Sequence, residues 1–237
     1  MHPSALLNAN SFFKAYGGDF PSGVIVEIGS QNVNGSIRDV APSHLKYIGV
    51  DFVNGNGVDV VLDDPYKLPF NDSSVDIVVS SSCFEHSEMF WLVFLEILRI
   101  LKPNGLFYLN VPTNSDFHRY PVDCWRFYPD SAQALVVWAK RSGYQPAALE
   151  SFVSKKYFGG WNDYVAVFVR DESCAQQHSR RAMDLSSASY INGQRFGSAE
   201  ISHPTFRTED QSGLFNGLRR WYWALVEKRV MKKASDR

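Results

Sequence analysis

Short apolar runs rich in β-branched residues punctuate the first half of the chain, at Val24–Ile28, Tyr47–Asp51, Val58–Leu62, Val75–Ser80 and Leu106–Val111. They are continuous rather than alternating and are bounded by Gly, Asn, Asp or Pro, which is the pattern of strands buried on both faces. Helical spacing interrupts them. In Glu88–Leu101, residues Phe90, Leu92, Val93, Phe94, Ile97, Leu98 and Leu101 give a wide apolar face, and Lys102-Pro103-Asn104-Gly105 reads as the turn that stops it. Ser4–Tyr16 predicts a short helix ended by Gly17-Gly18, and Asp130–Ser142 another, capped by Asp130 or Ser131. Leu149–Lys155 and Asn162–Arg170 bring the strands to seven. Strands alternating with helices predict an α/β fold.

Beyond Arg170 the pattern changes. Asp171–Gln211 is rich in Ser, Gln, Arg and Gly with little periodicity, and reads as a linker or extended arm. Helical spacing returns in Leu214–Lys233 through Leu214, Leu218, Trp221, Leu225 and Val226, with Arg219, Arg220, Lys228, Arg229, Lys232 and Lys233 against Glu227. The expected organisation is a domain over residues 1–170 and a linker with a basic amphipathic helix over 171–237. Such a helix packs on its own domain or on a second copy in a homodimer, which is the favoured expectation. The alternative is peripheral contact with an anionic bilayer, for which Trp221, Tyr222, Trp223 and the basic residues are suited.

The strand ends carry the first chemistry. Val24–Val26 runs into Glu27 and then a loop holding Gly29, Ser30, Asn32, Asn34 and Gly35; Tyr47–Val50 runs into Asp51. Two parallel strands would each present one carboxylate at the carboxyl edge of the sheet, where ligands bind in open α/β folds. A carboxylate accepts two hydroxyl hydrogen bonds at once, which suits a ribose diol. An adenosine-containing cofactor is therefore expected. A dinucleotide site needs G-x-G-x-x-G to seat a pyrophosphate. Here Gln31 stands where the second glycine should be, and the charge of Glu27 would repel a pyrophosphate but pair with the ammonium of a methionine moiety. S-adenosyl-L-methionine is favoured over a nicotinamide cofactor.

VDVVLDDPYKLPF (Val58–Phe70), VDIVVSSSCFEH (Val75–His86) and LRILKPNGLFYLNVP (Leu98–Pro112) extend this pattern. Taken in order, these motifs resemble the class I S-adenosylmethionine-dependent methyltransferases, in particular the type-11 methyltransferase family, from about Gly23 to Arg170. Through the E-I-G-S loop and HRYPVDCWRFYPD (His118–Asp130) the chain is similar to a subgroup associated with polysaccharide and lipopolysaccharide gene clusters. The resemblance implies a Rossmann-like seven-stranded sheet of order 3-2-1-4-5-7-6, mostly parallel with the last strand antiparallel and helices on both faces. It also implies that Asp64, or Asp63, meets the adenine amino group, and that Ser80, Ser81 and Ser82 line the cofactor near its sulfonium end. Phe52 is expected to pack on the adenine face. The loop departs from the family's E/D-x-G-x-G-x-G form at Gln31 and Val33, so a wider loop is expected.

Methyl transfer to an alcohol needs alignment and a base. The candidates are His118 first, His86 second, then Glu85 and Asp123. Arg119, Tyr120, Trp125 and Arg126 are expected to bind the acceptor, because aromatic faces and planar guanidinium groups suit a sugar bearing phosphate or carboxylate. Cys83 and Cys124 read as packed residues rather than nucleophiles. The histidines never fall at i, i+4 spacing, and no metal is demanded. A net charge of −1 argues against nucleic acid as a partner. Three scattered cysteines, no signal-like start and no run near ~20 apolar residues lead to the expectation of a cytoplasmic protein. The leading expectation is O-methylation of a sugar or glycan intermediate. N- or C-methylation, an inactive cofactor-binding partner subunit and a nicotinamide oxidoreductase are the rivals.

Overall fold

The computed structural model describes residues 3–114, 116–155, 162–185 and 190–205, with positions 222 and 226. One compact unit runs to Pro204 and a second begins at Thr205. The tail Leu214–Lys233 lies outside the described residues apart from Tyr222 and Val226, both helical. No helix among the described residues is long and apolar enough to cross a membrane.

The first unit is built on one sheet of eight strands: β1 (Val24–Ile28), β2 (Lys46–Asp51), β3 (Val60–Val61), β4 (Val75–Ser81), β5 (Leu101–Pro112), β6 (Ala147–Ser154), β7 (Asp163–Val169) and β8 (Tyr190–Arg195). Their order is β3-β2-β1-β4-β5-β7-β6-β8. Pairs from β3 through β5 are parallel, and β7 lies antiparallel between β5 and β6. The implied seven-stranded order is thus present, with β8 added antiparallel on the edge of β6.

Successive residues of a strand point to opposite faces, and each face has its own helices. On one face Ile25, Ile77, Val79 and Tyr108 pack with Phe12, Phe13 and Tyr16 of α1 (Pro3–Tyr16) and Met183 of α4 (Ala182–Leu185). On the other, Val26, Val78, Phe107 and Phe168 pack with Val93, Phe94 and Ile97 of α2 (Phe90–Ile100) and Leu135 of α3 (Ser131–Arg141). Burial on both sides explains the apolar runs of β7 and of β4, the latter interrupted by Asp76.

Two expectations change. Lys102-Pro103-Asn104-Gly105 is not a turn before β5 but a bulge within it: Val75 pairs with Leu101 and Ile77 with Leu106, so the extra residues loop out of the ladder. Lys102 Nζ is held there by Asp76 Oδ1 at 2.7 Å. The segment read as a linker after Arg170 instead carries a 3-10 turn (Glu172–Gln177), α4 and β8 as part of the first unit. Its physical anchor is Glu150 on β6, which is wholly buried and accepts hydrogen bonds from the backbone of Ala182 and Met183.

Candidate functional site

The parallel strands end together, and their carboxyl ends set the site. Glu27, on the α1 face of β1, is 3% exposed and accepts a hydrogen bond from Tyr47 Oη at 2.9 Å. Burial pushes its carboxyl up to about 7, against the opposing effects of Tyr47 and Arg38. Asp51 ends β2 with one carboxylate oxygen taking Gln31 N (3.3 Å) and the other Val53 N (3.1 Å). Each oxygen has a second lone pair, so two further donors can be accepted.

The loop after β1 follows closely packed neighbours. Gly29 has φ +77°, and a Cβ there would fall 2.7 Å from the Cys83 side chain, so glycine lets this loop lie against the loop after β4. Gly57, at φ +88°, brings the loop after β2 against Ser30 O in the same way. Gly35 N is held by Asn32 Oδ1 at 2.9 Å. Phe52 and Val53 stand half-exposed beside Asp51, an apolar margin to an otherwise polar edge.

At the end of β4, Ser80 is fully buried and gives its hydroxyl to Ile28 O at 3.1 Å, which ties β4 to β1 rather than offering it to a ligand. Ser81 Oγ accepts from Asn110 Nδ2 at 3.4 Å, and Asn110 Oδ1 accepts from Asn8 of α1 at 3.0 Å. Asp63 and Asp64 are exposed, and Asp64 Oδ1 holds Tyr66 N in a turn.

The segment after β5 folds back over these ends. Tyr120 Oη donates to Gln31 Oε1 (2.9 Å), Trp125 Nε1 to Ser87 O (2.9 Å), and Cys124 N to Glu85 O (2.7 Å). Asp123 is its internal brace. Its carboxylate accepts from Arg126 Nη1 and Nη2 and from His118 N, and the Arg126 bonds hold it well below the usual carboxylate range. Arg126 is thus occupied inside the segment, whereas Arg119 is exposed with Nε on Pro121 O.

Two imidazoles meet under this segment. The rings of His86 and His118 are 5.0 Å apart and nearly perpendicular. His86 Nδ1 lies 2.5 Å from Val122 O, and His118 Nδ1 3.1 Å from Asp116 O and 3.5 Å from Asp123 Oδ2. A carbonyl accepts only, so each Nδ1 carries the proton and each lone pair is on Nε2. Burial lowers the His86 pKa. Glu85, 1% exposed, has its carboxyl pushed up to about 8 by burial, and its Oε2 has no hydrogen-bond partner among the described residues. The sequence spacing offered no metal set, yet the fold brings ligand atoms of Glu85, His86 and His118 within 4.8 Å of one another. Burial raises the Cys83 thiol to about 12, which suits a packed residue and not a nucleophile.

Beside Trp125 and Arg126 lies a groove of about 320 Å³, lined chiefly by Phe90, Trp91, Phe127 and Trp138. It opens at the first turns of α2 and α3. Trp125 was anticipated in the sequence; Gln31, Tyr47, Asn110 and the aromatic residues of α2 and α3 were not. Tyr47 and Gln31 carry no signal in one dimension, because their partners Glu27 and Tyr120 are set by strand register and loop docking.

The profile of the type-11 methyltransferase family, described as a methyltransferase domain, matches residues 33–109. The rice (Oryza sativa subsp. japonica) chloroplastic 2-methyl-6-phytyl-1,4-hydroquinone methyltransferase 1 is 25% identical over 139 residues, 58% of this chain and 41% of its own. The phthiotriol/phenolphthiotriol dimycocerosates methyltransferase of Mycobacterium tuberculosis is 34% identical over 71 residues, 28% of this chain and 25% of its own. The chain therefore spans less than half the length of these curated relatives. Among solved structures, the Burkholderia thailandensis 1,6-didemethyltoxoflavin-N1-methyltransferase, with bound 1,6-didemethyltoxoflavin and S-adenosylhomocysteine, superposes with TM-score 0.53 at 13% identity, covering 72% of this chain and 80% of that one. The YcgJ protein of Bacillus subtilis gives TM-score 0.51 at 12% identity, covering 72% and 100%. At such identity these likenesses establish the fold, that of the class I methyltransferases.

Proposed function

We propose that this chain is an S-adenosylmethionine-dependent methyltransferase that methylates a hydroxyl of a sugar or glycan intermediate. The observation that carries the reading is the pair of strand-end acids, buried Glu27 and diol-competent Asp51, at the carboxyl edge of a methyltransferase-type sheet. The residues fit the cofactor: Asp51 would hold the ribose, Glu27 the ammonium, and Phe52 with Val53 an adenine face. When bound, S-adenosylmethionine supplies an activated methyl group.

The chain's own residues supply the rest. Methylation of a hydroxyl releases its proton, and His118 would take it on Nε2, with Nδ1 kept protonated by Asp116 O and Asp123 beside it to stabilise the imidazolium. Asp123 itself, pinned by Arg126, is a positioning residue and not the base. The 116–127 segment is tied to the strand-end loops by Tyr120, Cys124 and Trp125, and would stand between the reacting atoms and bulk water. Trp125 and Tyr120 offer flat faces to a sugar ring. A second reading has a specific basis in the aromatic groove, whose lining suits a phenolic or lipid-linked acceptor. The two curated relatives named above bear names of such acceptors.

Incubation with methyl-labelled S-adenosylmethionine and either glycan extracts or quinol lipids tests both. Label in the glycan fraction carries the first reading, label in the lipid fraction the second, and label in neither rejects O-methylation of both classes. His118→Ala is expected to lower kcat by about 10²–10⁴-fold, the usual worth of a positioned base, while S-adenosylhomocysteine affinity stays within about twofold. An unchanged kcat removes His118 from the chemistry.

Glu27 yields a pH prediction. Its carboxyl is protonated below about pH 7 in the free protein, and pairing with an ammonium requires the ionised form. Binding must then expel a proton in acid solution. S-adenosylhomocysteine affinity should fall by up to about tenfold per pH unit from pH 7 down to pH 5.5. Glu27→Gln should bind more weakly at pH 7.5 and lose that slope. Calorimetry across this range in both proteins checks it; parallel slopes would remove Glu27 from the ammonium role.

A further inference from the structure

We propose that Glu85, His86 and His118 form a binding site for a single divalent cation beneath the 116–127 segment. The proposal deepens the methyltransferase reading, since such an ion would lie where the acceptor hydroxyl is expected, and it rests on that reading only for its role, not for its existence. Three observations converge. Ligand atoms of all three residues lie within 4.8 Å of one another, although the residues come from the loop after β4 and from the segment after β5. Glu85 is 1% exposed, with Oε1 at 3.8 Å from His86 Nε2 and Oε2 without a hydrogen-bond partner among the described residues. A buried carboxyl oxygen left without a partner is costly, and a cation that draws the group into its ionised form is one of the few ligands that offsets the cost. Both imidazoles place Nδ1 beside a backbone carbonyl, the outer-sphere arrangement of a metal-binding histidine, and His86 Nε2 faces the Glu85 carboxyl at 3.8 Å.

The nearby cation in the chain does not fill this need. Arg126 makes two hydrogen bonds to Asp123, at 2.5 and 2.8 Å, and two more to backbone carbonyls. Two imidazoles and one carboxylate suit a borderline ion such as Zn²⁺ or Co²⁺. With bonds of about 2.0–2.2 Å the ligand atoms would stand roughly 3–3.5 Å apart, so the widest separation must close by up to about 1.5 Å. His118, on an exposed segment, can supply that movement. Three protein ligands leave a position open for the acceptor oxygen, whose proton would pass to water as the ion lowers its pKa. His118 then serves as a ligand and not as the base, so the titration also decides between its two roles.

The test is calorimetric titration of chelator-treated full chain, free of any affinity tag, with ZnCl₂, and absorption spectroscopy with CoCl₂. One ion per chain and a visible Co²⁺ band are expected. His118→Ala and His86→Asn should each weaken Zn²⁺ binding at least tenfold, and Glu85→Gln likewise if circular dichroism shows it folded. His44→Ala, far from the cluster in sequence and bonded to Phe20 O, should bind like the parent. Absence of stoichiometric binding, or binding indifferent to His118→Ala and His86→Asn, overturns the site. S-adenosylhomocysteine affinity measured on the same samples separates the two failures: a chain that binds it but no ion loses only the metal site.

Discussion

Replacing Glu150 with alanine is expected to cost at least about 3 kcal/mol, the largest stability loss anticipated for a single polar residue here. Its carboxylate, 1% exposed, takes Tyr16 Oη at 2.7 Å, Ala182 N at 2.7 Å and Met183 N at 2.9 Å. It joins α1, β6 and the start of α4 through one side chain. Alanine would leave three donors buried without acceptors, each worth about 1–3 kcal/mol. For a chain of this size the melting temperature should drop by roughly 6–12 °C. Glu150→Gln keeps one acceptor oxygen and should lie between. A melting temperature for the alanine variant within about 2 °C of the parent would show that the surroundings relax to satisfy these donors, and would refute the anchoring role.

The same residue explains what could and could not be read in one dimension. β1, β4 and β7 were legible because burial on both faces demands apolar runs, and the acids that follow β1 and β2 marked the carboxyl edge. β8 was not legible. Tyr190–Arg195 alternates poorly, contains Asn192 at φ +52°, and includes Gly193, where a Cβ would strike Met183 and Tyr190. Its place depends on α4 below it and β6 beside it, both non-local. The bulge at Lys102–Gly105 carried the residues of a turn and was read as one, since the salt bridge to Asp76 that seats it crosses strands.

The candidate site divides along the same line. Glu27 and Asp51 were recognisable because an acid closing a buried strand has few structural uses, and both lie where the strand ends required. Ser80 was expected beside the cofactor from its position, and its hydroxyl donates to Ile28 O, a contact that strand pairing makes and spacing does not reveal. The gathering of Glu85, His86 and His118 had no periodic signature at all, because it is made by a loop returning from β5 and pinned by Asp123, Trp125 and Tyr120.

Asp51→Ala is expected to weaken S-adenosylhomocysteine binding at least tenfold. The argument starts from its geometry: one lone pair of each oxygen is used by Gln31 N and Val53 N, and the others are available to a diol. Charge-assisted hydrogen bonds of this kind contribute about 1.5–3 kcal/mol each, so the loss of two could reach 10²-fold or more before water replaces part of it. The two backbone donors also lose their acceptor, which loosens the loops that place Gln31 against Tyr120. Asp51→Asn separates these effects, because its amide oxygen keeps one backbone contact while the charge is gone. Affinity for the asparagine variant should fall between alanine and parent. Calorimetry with S-adenosylhomocysteine, on variants whose melting temperature shows them folded, makes the measurement. A folded Asp51→Ala protein that binds as tightly as the parent would place the ribose elsewhere, and with it the orientation of the cofactor across the ends of β1, β2 and β4.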